Sequence, residues 1–97
     1  MNQYILNQSV NLRVTIKVSG ALADPTGLTF MLQDPDGTET SYIYGTNAQL
    51  EKDAVGKYHV QYTLNKYGIW TVRYEGTGAA PGATEYQVEV IPSKFYP

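Results

Sequence analysis

Residues 56–78, GKYHVQYTLNKYGIWTVRYEGTG, restrict the fold more than any other part of the chain. Two runs of alternation flank an Asn65-Lys66-Tyr67-Gly68 turn. Tyr58, Val60, Tyr62 and Leu64 share one face of the first run. Trp70, Val72 and Tyr74 share one face of the second, with Thr71, Arg73 and Glu75 opposite. A period of two marks a strand with one buried side, and two such runs around a Gly-containing turn predict an antiparallel hairpin. The stretch also holds the single Trp and four of the nine Tyr. A Trp in register with apolar neighbours is expected at the centre of a core. The candidate core is accordingly Trp70 with Tyr58, Val60 and Val72, joined by Phe30 and Val14 from other strands.

The remaining strands follow from the same period. Val10, Leu12, Val14, Ile16 and Val18 alternate with Asn11, Arg13, Thr15, Lys17 and Ser19, predicting one strand across that whole span. Leu28, Phe30 and Leu32 form a second series, Thr40, Tyr42 and Tyr44 a third, and Tyr86, Val88 and Val90 the last. Residues 49–52 fit a short edge strand. Asp34-Pro35-Asp36-Gly37 places Pro and Gly where a tight turn needs them, so the strands on either side should pair as a hairpin. Residues 75–84, EGTGAAPGAT, read as a small, flexible loop. No eleven-residue window carries a 3.6 period, so helix is not expected. About seven short strands separated by turns indicate an all-β, antiparallel β-sandwich. One domain over residues 1–97 is expected, with short extensions at 1–8 and 92–97.

Composition excludes more than it assigns. Lys and Arg number seven against nine Asp and Glu, a net charge of −2, and the cations never cluster. Nucleic-acid binding needs a basic patch and is not expected. The chain has no Cys, which removes disulfides and thiol chemistry and favours a reducing compartment. No segment approaches the roughly 20 apolar residues that span a bilayer, and the first residues lack the pattern of a signal peptide. A protein made in the cytoplasm, without membrane or cofactor, is expected.

Candidate chemical residues each have a simpler reading. His59, the only histidine, falls on the polar face of its strand, where a solvated side chain outweighs a catalytic one. Ser9, Ser19, Ser41 and Ser93 have no histidine partner in any recognisable motif. Catalysis is not expected. Asp34 and Asp36 lie in a Gly-containing loop that lacks the other ligands of a calcium site, so they read as turn formers and no metal is expected. Gly76-Thr77-Gly78 has no helix start or Lys after it and reads as a strand connection rather than a phosphate cradle. Arg73 and Glu75 share the solvent face of their strand; they make either a surface ion pair or a contact to a neighbouring subunit. Phe95 and Tyr96 near one end and Tyr4 near the other are candidate partner contacts, because aromatics are enriched at interface centres.

Asp53-Ala54-Val55-Gly56-Lys57-Tyr58-His59-Val60 resembles the D-x-G-x-Y-x-C signature of immunoglobulin-like domains, with Val60 at the Cys position and Asp53 one residue further from the Tyr. The resemblance implies a tyrosine corner at Tyr58. From Val10 to about Pro92 the chain is similar to small immunoglobulin-like proteins of tailed bacteriophages. The matching residues are Asp24-Pro25-Thr26, Asp34-Pro35-Asp36-Gly37, Gly56-Lys57-Tyr58 and Gly68-Ile69-Trp70-Thr71-Val72-Arg73-Tyr74-Glu75-Gly76-Thr77-Gly78. The run Trp-x-x-Arg-aromatic-Glu-Gly-x-Gly is the distinctive part. That resemblance implies an immunoglobulin-like sandwich serving as a structural virion protein in the capsid, neck or head–tail region. Its expected partners are other virion proteins and further copies of itself. The alternative is a carbohydrate- or receptor-binding module with Tyr42, Tyr44 and Tyr62 as an aromatic platform.

Overall fold

The computed structural model of the chain describes residues 2–91, and they are all-β with no helix. Ten strands form in chain order: β1 (Asn2–Ile5), β2 (Gln8–Thr15), β3 (Lys17–Val18), β4 (Ala21–Leu22), β5 (Gly27–Gln33), β6 (Glu39–Ile43), β7 (Leu50–Ala54), β8 (Lys57–Leu64), β9 (Gly68–Thr77) and β10 (Gly82–Ile91). A five-stranded sheet has the order β1-β10-β9-β5-β6, a three-stranded sheet the order β2-β8-β7, and β3 pairs with β4. Every pairing is antiparallel except β1 with β10, which is parallel.

Alternation becomes burial on both large sheets. Leu28, Phe30 and Leu32 of β5, Trp70, Val72 and Tyr74 of β9, and Val88 and Val90 of β10 are buried. Val10, Leu12 and Val14 of β2 and Tyr58, Val60 and Leu64 of β8 are buried in the same apolar cluster. All six core candidates, Trp70, Tyr58, Val60, Val72, Phe30 and Val14, lie within it. Rings meet at angles that suit their quadrupoles: Tyr74 stands edge-on to Phe30 at 5.2 Å, and Tyr62 edge-on to Trp70 at 5.9 Å.

The hairpin expected over residues 56–78 does not form. β8 pairs with β2 and β7, whereas β9 pairs with β5 and β10. The link between them therefore crosses from one sheet to the other. A period of two fixes which face of a strand is buried but not which strand occupies its hydrogen-bonding edge. Both apolar faces do point to one core, approaching it from opposite sheets, and Tyr62 meets Trp70 through side chains rather than through a ladder.

Local bonds hold that crossing in place. The Trp70 indole Nε1 donates to the Lys66 carbonyl at 3.1 Å. The Lys66 ammonium donates to Asp34 Oδ2 at 2.8 Å and to Asp36 Oδ2 at 2.9 Å. Gly68 has φ of 121°, and an added Cβ would stand 3.0 Å from Pro35. The crossing thus lies against the β5–β6 turn.

Three other expectations are revised. The strand beginning at Val10 stops at Thr15, because Ile16 leaves the ladder: its N–H donates to the Gly56 carbonyl at 2.7 Å and its carbonyl accepts from Ala23 at 3.1 Å. Val18 then belongs to a separate two-residue hairpin through Ser19 (φ 52°) and Gly20 (φ 83°), the positive pair a type I′ turn requires. Residues 75–84 are largely strand, since β9 and β10 pair as far as Gly76 with Gly82, leaving a short turn. The amino-terminal residues expected to extend from the domain instead supply β1, which pairs with Val88–Ile91.

The DPDG hairpin joins β5 and β6 with Gln33 opposite Glu39. The short edge strand near residue 50 is β7.

Candidate interaction surface and its charged clusters

Arg73 and Glu75 lie on the solvent side of β9, near the centre of the five-stranded sheet. The Arg73 Nε donates to Glu75 Oε1 at 2.7 Å, and its Nη1 donates across to Glu85 Oε1 of β10 at 3.3 Å. The Glu75 carboxylate, then Glu85, holds the guanidinium pKa above its ordinary value. The cation and both carboxylates are satisfied within one chain. Tyr4 lies in β1, half-buried and packed against the core. Phe95 and Tyr96 lie outside the described residues.

Asp24 is a junction that the sequence does not advertise. Its Oδ2 accepts from the Lys52 ammonium at 2.7 Å, and its Oδ1 accepts from the Gly56 N–H at 2.8 Å and the Tyr58 hydroxyl at 3.0 Å. The Lys52 hydrogen bond, followed by that from Gly56, lowers the carboxyl pKa, and the same pair raises Lys52. Burial, then the Asp24 bond, pushes the Tyr58 hydroxyl up to about 12. The tyrosine corner implied at Tyr58 is therefore replaced by a side-chain bond to a carboxylate. Tyr58 also opens β8 of the three-stranded sheet.

Asp34 and Asp36 close the β5–β6 turn. Asp34 Oδ1 accepts from the N–H groups of Asp36 and Thr38, both at 2.9 Å. Its other oxygen takes Lys66, which is the main reason its pKa falls. His59 is less solvated than its strand face suggests, with 17% of its side chain exposed. Its Nδ1 lies 2.8 Å from Asp53 Oδ1 and its Nε2 lies 3.2 Å from Glu51 Oε2. The two carboxylates occupy opposite ring nitrogens and do not converge on a point. Among the described residues no group of three or more His, Cys, Asp or Glu could hold a metal ion.

Two clefts flank the place where β10 meets β2. The Tyr74 hydroxyl donates to the Leu12 carbonyl and the Tyr86 hydroxyl to the Arg13 carbonyl at 2.9 Å, so two tyrosines of the five-stranded sheet reach the backbone of β2. Burial raises the pKa of both and takes Tyr86 to about 12. A cleft of about 200 Å³ lies on one side of this bridge, between Val14, Thr15 and Ile16 and the Gly82 end of β10. A second, of about 310 Å³, lies on the other side between Tyr4, Arg13 and Tyr86. Neither cleft draws together a nucleophile and a base.

The residues missed by sequence reading, Asp24, Lys66 and Tyr86, act through partners 20 or more positions away in the chain. The sequence places Asp24 in a segment of the family resemblance, Lys66 in a turn and Tyr86 in a strand, and signals a partner for none of them.

No protein-family model, curated protein or solved structure matches this chain.

Proposed function

We propose that this protein is a structural component of a tailed-bacteriophage particle, an immunoglobulin-like β-sandwich that works through contacts with other virion proteins and further copies of itself. The strand order supports the sandwich reading. The set β10-β9-β5-β6 facing β2-β8-β7 follows the G-F-C-C′ and B-E-D sheets of immunoglobulin domains, with β1 added beside the last strand. The Trp70 to Gly78 run supports the phage lineage.

The observation that carries the binding role is an apolar group on the solvent face of the five-stranded sheet. Ile5 lies opposite Ile91, and Ile69 lies two register positions away on the same face, opposite Glu89. Ile5 is 50% and Ile69 38% exposed. Neighbouring exposed isoleucines at one sheet end suit a protein contact better than open water. The aromatic platform of the glycan-binding alternative has less support. Tyr42 is stacked on Phe30 at 5.8 Å, and Tyr62 is packed on Trp70 from the opposite sheet.

Light scattering after size exclusion, followed by electron microscopy, tests the reading. Multimers, rings or tubes are expected. A monomer that captures glycans on an array would reverse it.

A further inference from the structure

The two ends of the sandwich differ in what they leave exposed. At one end Leu64 pairs with Gln8, its carbonyl accepts from the Asn7 N–H at 2.8 Å, and Glu89 pairs with Ile69. Ile5 and Ile91 pair at the same end. At the other end Thr15 pairs with Lys57 and Gly76 with Gly82. The β3–β4 hairpin belongs to this second end. It follows Thr15 through Ile16, whose N–H donates to the Gly56 carbonyl, and Lys17 lines one cleft with Gly82. The ten residues of β10 run from end to end, about 30 Å at strand spacing.

Ion pairing within the chain leaves opposite charges at these two ends. Among the described residues Arg13, Lys52, Lys66 and Arg73 each have a carboxylate partner, whereas Lys17 and Lys57 have none. Both unpaired cations lie at the hairpin end. Among the described carboxylates, Glu39 and Glu89 have no Lys, Arg or His partner. Both lie towards the isoleucine end, Glu89 opposite Ile69 and Glu39 just after the turn whose Pro35 packs near Gly68.

The apolar groups at the two ends sit beside those charges. Glu89 is half-buried on the face that also carries Ile5, Ile69 and Ile91. Its Oε1 accepts from Gln3 Nε2 at 2.8 Å, and no described residue occupies Oε2. At the far end β3 and β4 pair only with each other and stand outside both large sheets. Lys17 and Leu22 lie directly opposite in that pairing, so they share one side of the hairpin, and both are exposed. An exposed leucine beside an unpaired cation thus faces out from one end, and isoleucines around an unpaired carboxylate from the other.

We propose that the β3–β4 hairpin of one copy docks on the isoleucine corner of a second copy, with Leu22 against Ile5 and Ile69 and the Lys17 ammonium on Glu89 Oε2. The proposal deepens the assembly reading above and rests on it. Hairpin and corner lie at opposite ends of the sandwich, so a chain cannot make this contact with itself. Charge complementarity selects the head-to-tail arrangement. Meeting like to like would set Lys17 and Lys57 against their equivalents, or Glu39 and Glu89 against theirs. A lysine lays its methylene stem along apolar surface while its head reaches a carboxylate, so Lys17 and Leu22 fit one footprint. The two surfaces differ, which makes the contact heterologous, and it closes into rings or continues as filaments. A hairpin this short makes a small contact, and repetition in a closed assembly supplies the avidity.

The absence of Cys makes one test direct. Full-length Leu22→Cys and Ile69→Cys variants are mixed in equal amounts and oxidised, and products are resolved without reductant. A disulfide-linked heterodimer in excess of either homodimer is expected. Light scattering reads the charges. Lys17→Glu and Glu89→Lys should each weaken self-association roughly tenfold or more, and the double variant should regain most of that loss. Recovery distinguishes a lost contact from a damaged fold, because two injuries to one fold do not cancel. A double variant as weak as the singles overturns the Lys17–Glu89 pairing. Multimers that survive both single reversals and give no heterodimer excess overturn the hairpin contact while leaving the assembly reading standing. A chain that is monomeric at every concentration overturns both.

Discussion

Replacing Gly56 by Ala should destabilise the protein more than replacing Gly45, although both glycines have positive φ. At Gly45 φ is 87° and an added Cβ meets nothing within 4 Å. The substitution there costs only the left-handed backbone, about 1–2 kcal/mol for a residue with a Cβ. At Gly56 φ is 70°, and the added Cβ would stand 2.5 Å from the Ile16 carbonyl oxygen and 3.0 Å from the Ala23 nitrogen. Both neighbours are backbone and cannot swing aside. Relief requires moving Gly56 itself, whose carbonyl accepts from Ile16 and whose N–H donates to Asp24. Overpacking of this kind adds about 1–3 kcal/mol, for a total of about 2–5 kcal/mol at Gly56. Urea unfolding of the two variants beside the parent reads the difference, provided the slope is unchanged so that midpoints report stability. Equal midpoints for Gly45→Ala and Gly56→Ala would refute the packing of Ile16 and Ala23 over Gly56. The pair separates backbone conformation from close approach, which neither variant does alone.

Trp70→Ala should cost about 3–5 kcal/mol, read as a lower urea midpoint; an unchanged midpoint would remove Trp70 from the core. Tyr74→Phe leaves the ring in place but strips the Leu12 carbonyl of its buried hydroxyl donor, which should cost about 1–3 kcal/mol in the same assay. Stability should also depend on pH at both extremes. Asp24 and Asp34 have folded pKa values below their ordinary 3.8, so their contribution is present above that value and is lost as pH falls through the lowered one. Tyr58 and Tyr86 are raised from 10.0 to about 12, so theirs is present below pH 10 and is lost as pH rises towards 12. Urea midpoints across pH check both limbs, and Asp24→Asn should flatten the acid limb. Asp34→Asn keeps an oxygen for the Asp36 and Thr38 N–H groups but loses charge towards Lys66, whereas Asp34→Ala loses both. Thermal midpoints should therefore fall in the order Asp34, Asn, Ala, and equal values for Asn and Ala would refute the turn role of Oδ1.

How far the fold can be read from the sequence depends on the distance over which each signal acts. Alternation is set by a residue's own strand, so the buried faces of β2, β5, β8, β9 and β10 follow from it directly. Turn chemistry is equally local where Pro and Gly mark it, as at Asp34-Pro35-Asp36-Gly37. The choice of strand partner is not local. Leu64 and Gly68 are close enough in sequence to begin a hairpin, and only the claims of β2 and β7 on β8, and of β5 and β10 on β9, prevent it. The end of β2 at Thr15 is hidden for the same reason. Ile16 continues the apolar period perfectly, yet its backbone bonds go to Gly56, in the turn between β7 and β8, and to Ala23, just past β4.

The candidate interaction surface is less legible than the fold, because it is made of what the strands leave unpaired. Arg73 and Glu75 stand out in the sequence as charges on a strand rich in apolar residues, but Glu85 completes their pairing from the next strand. The stretch of β10 that β1 does not cover has no sequence signature at all. It exists because β1 covers four residues of a ten-residue neighbour, and because Tyr74 and Tyr86 reach across to β2 rather than lying flat over the gap. Alternation assigns both tyrosines to the buried face and ends there. Their hydroxyls meet the Leu12 and Arg13 carbonyls, and the cleft beside the Gly82 end of β10 is lined by Thr15, Lys17 and Thr84 as well as by Val14, Ile16 and Leu28. The period of two thus names the buried face of β10, and only the length of β1 decides how much of its edge is covered.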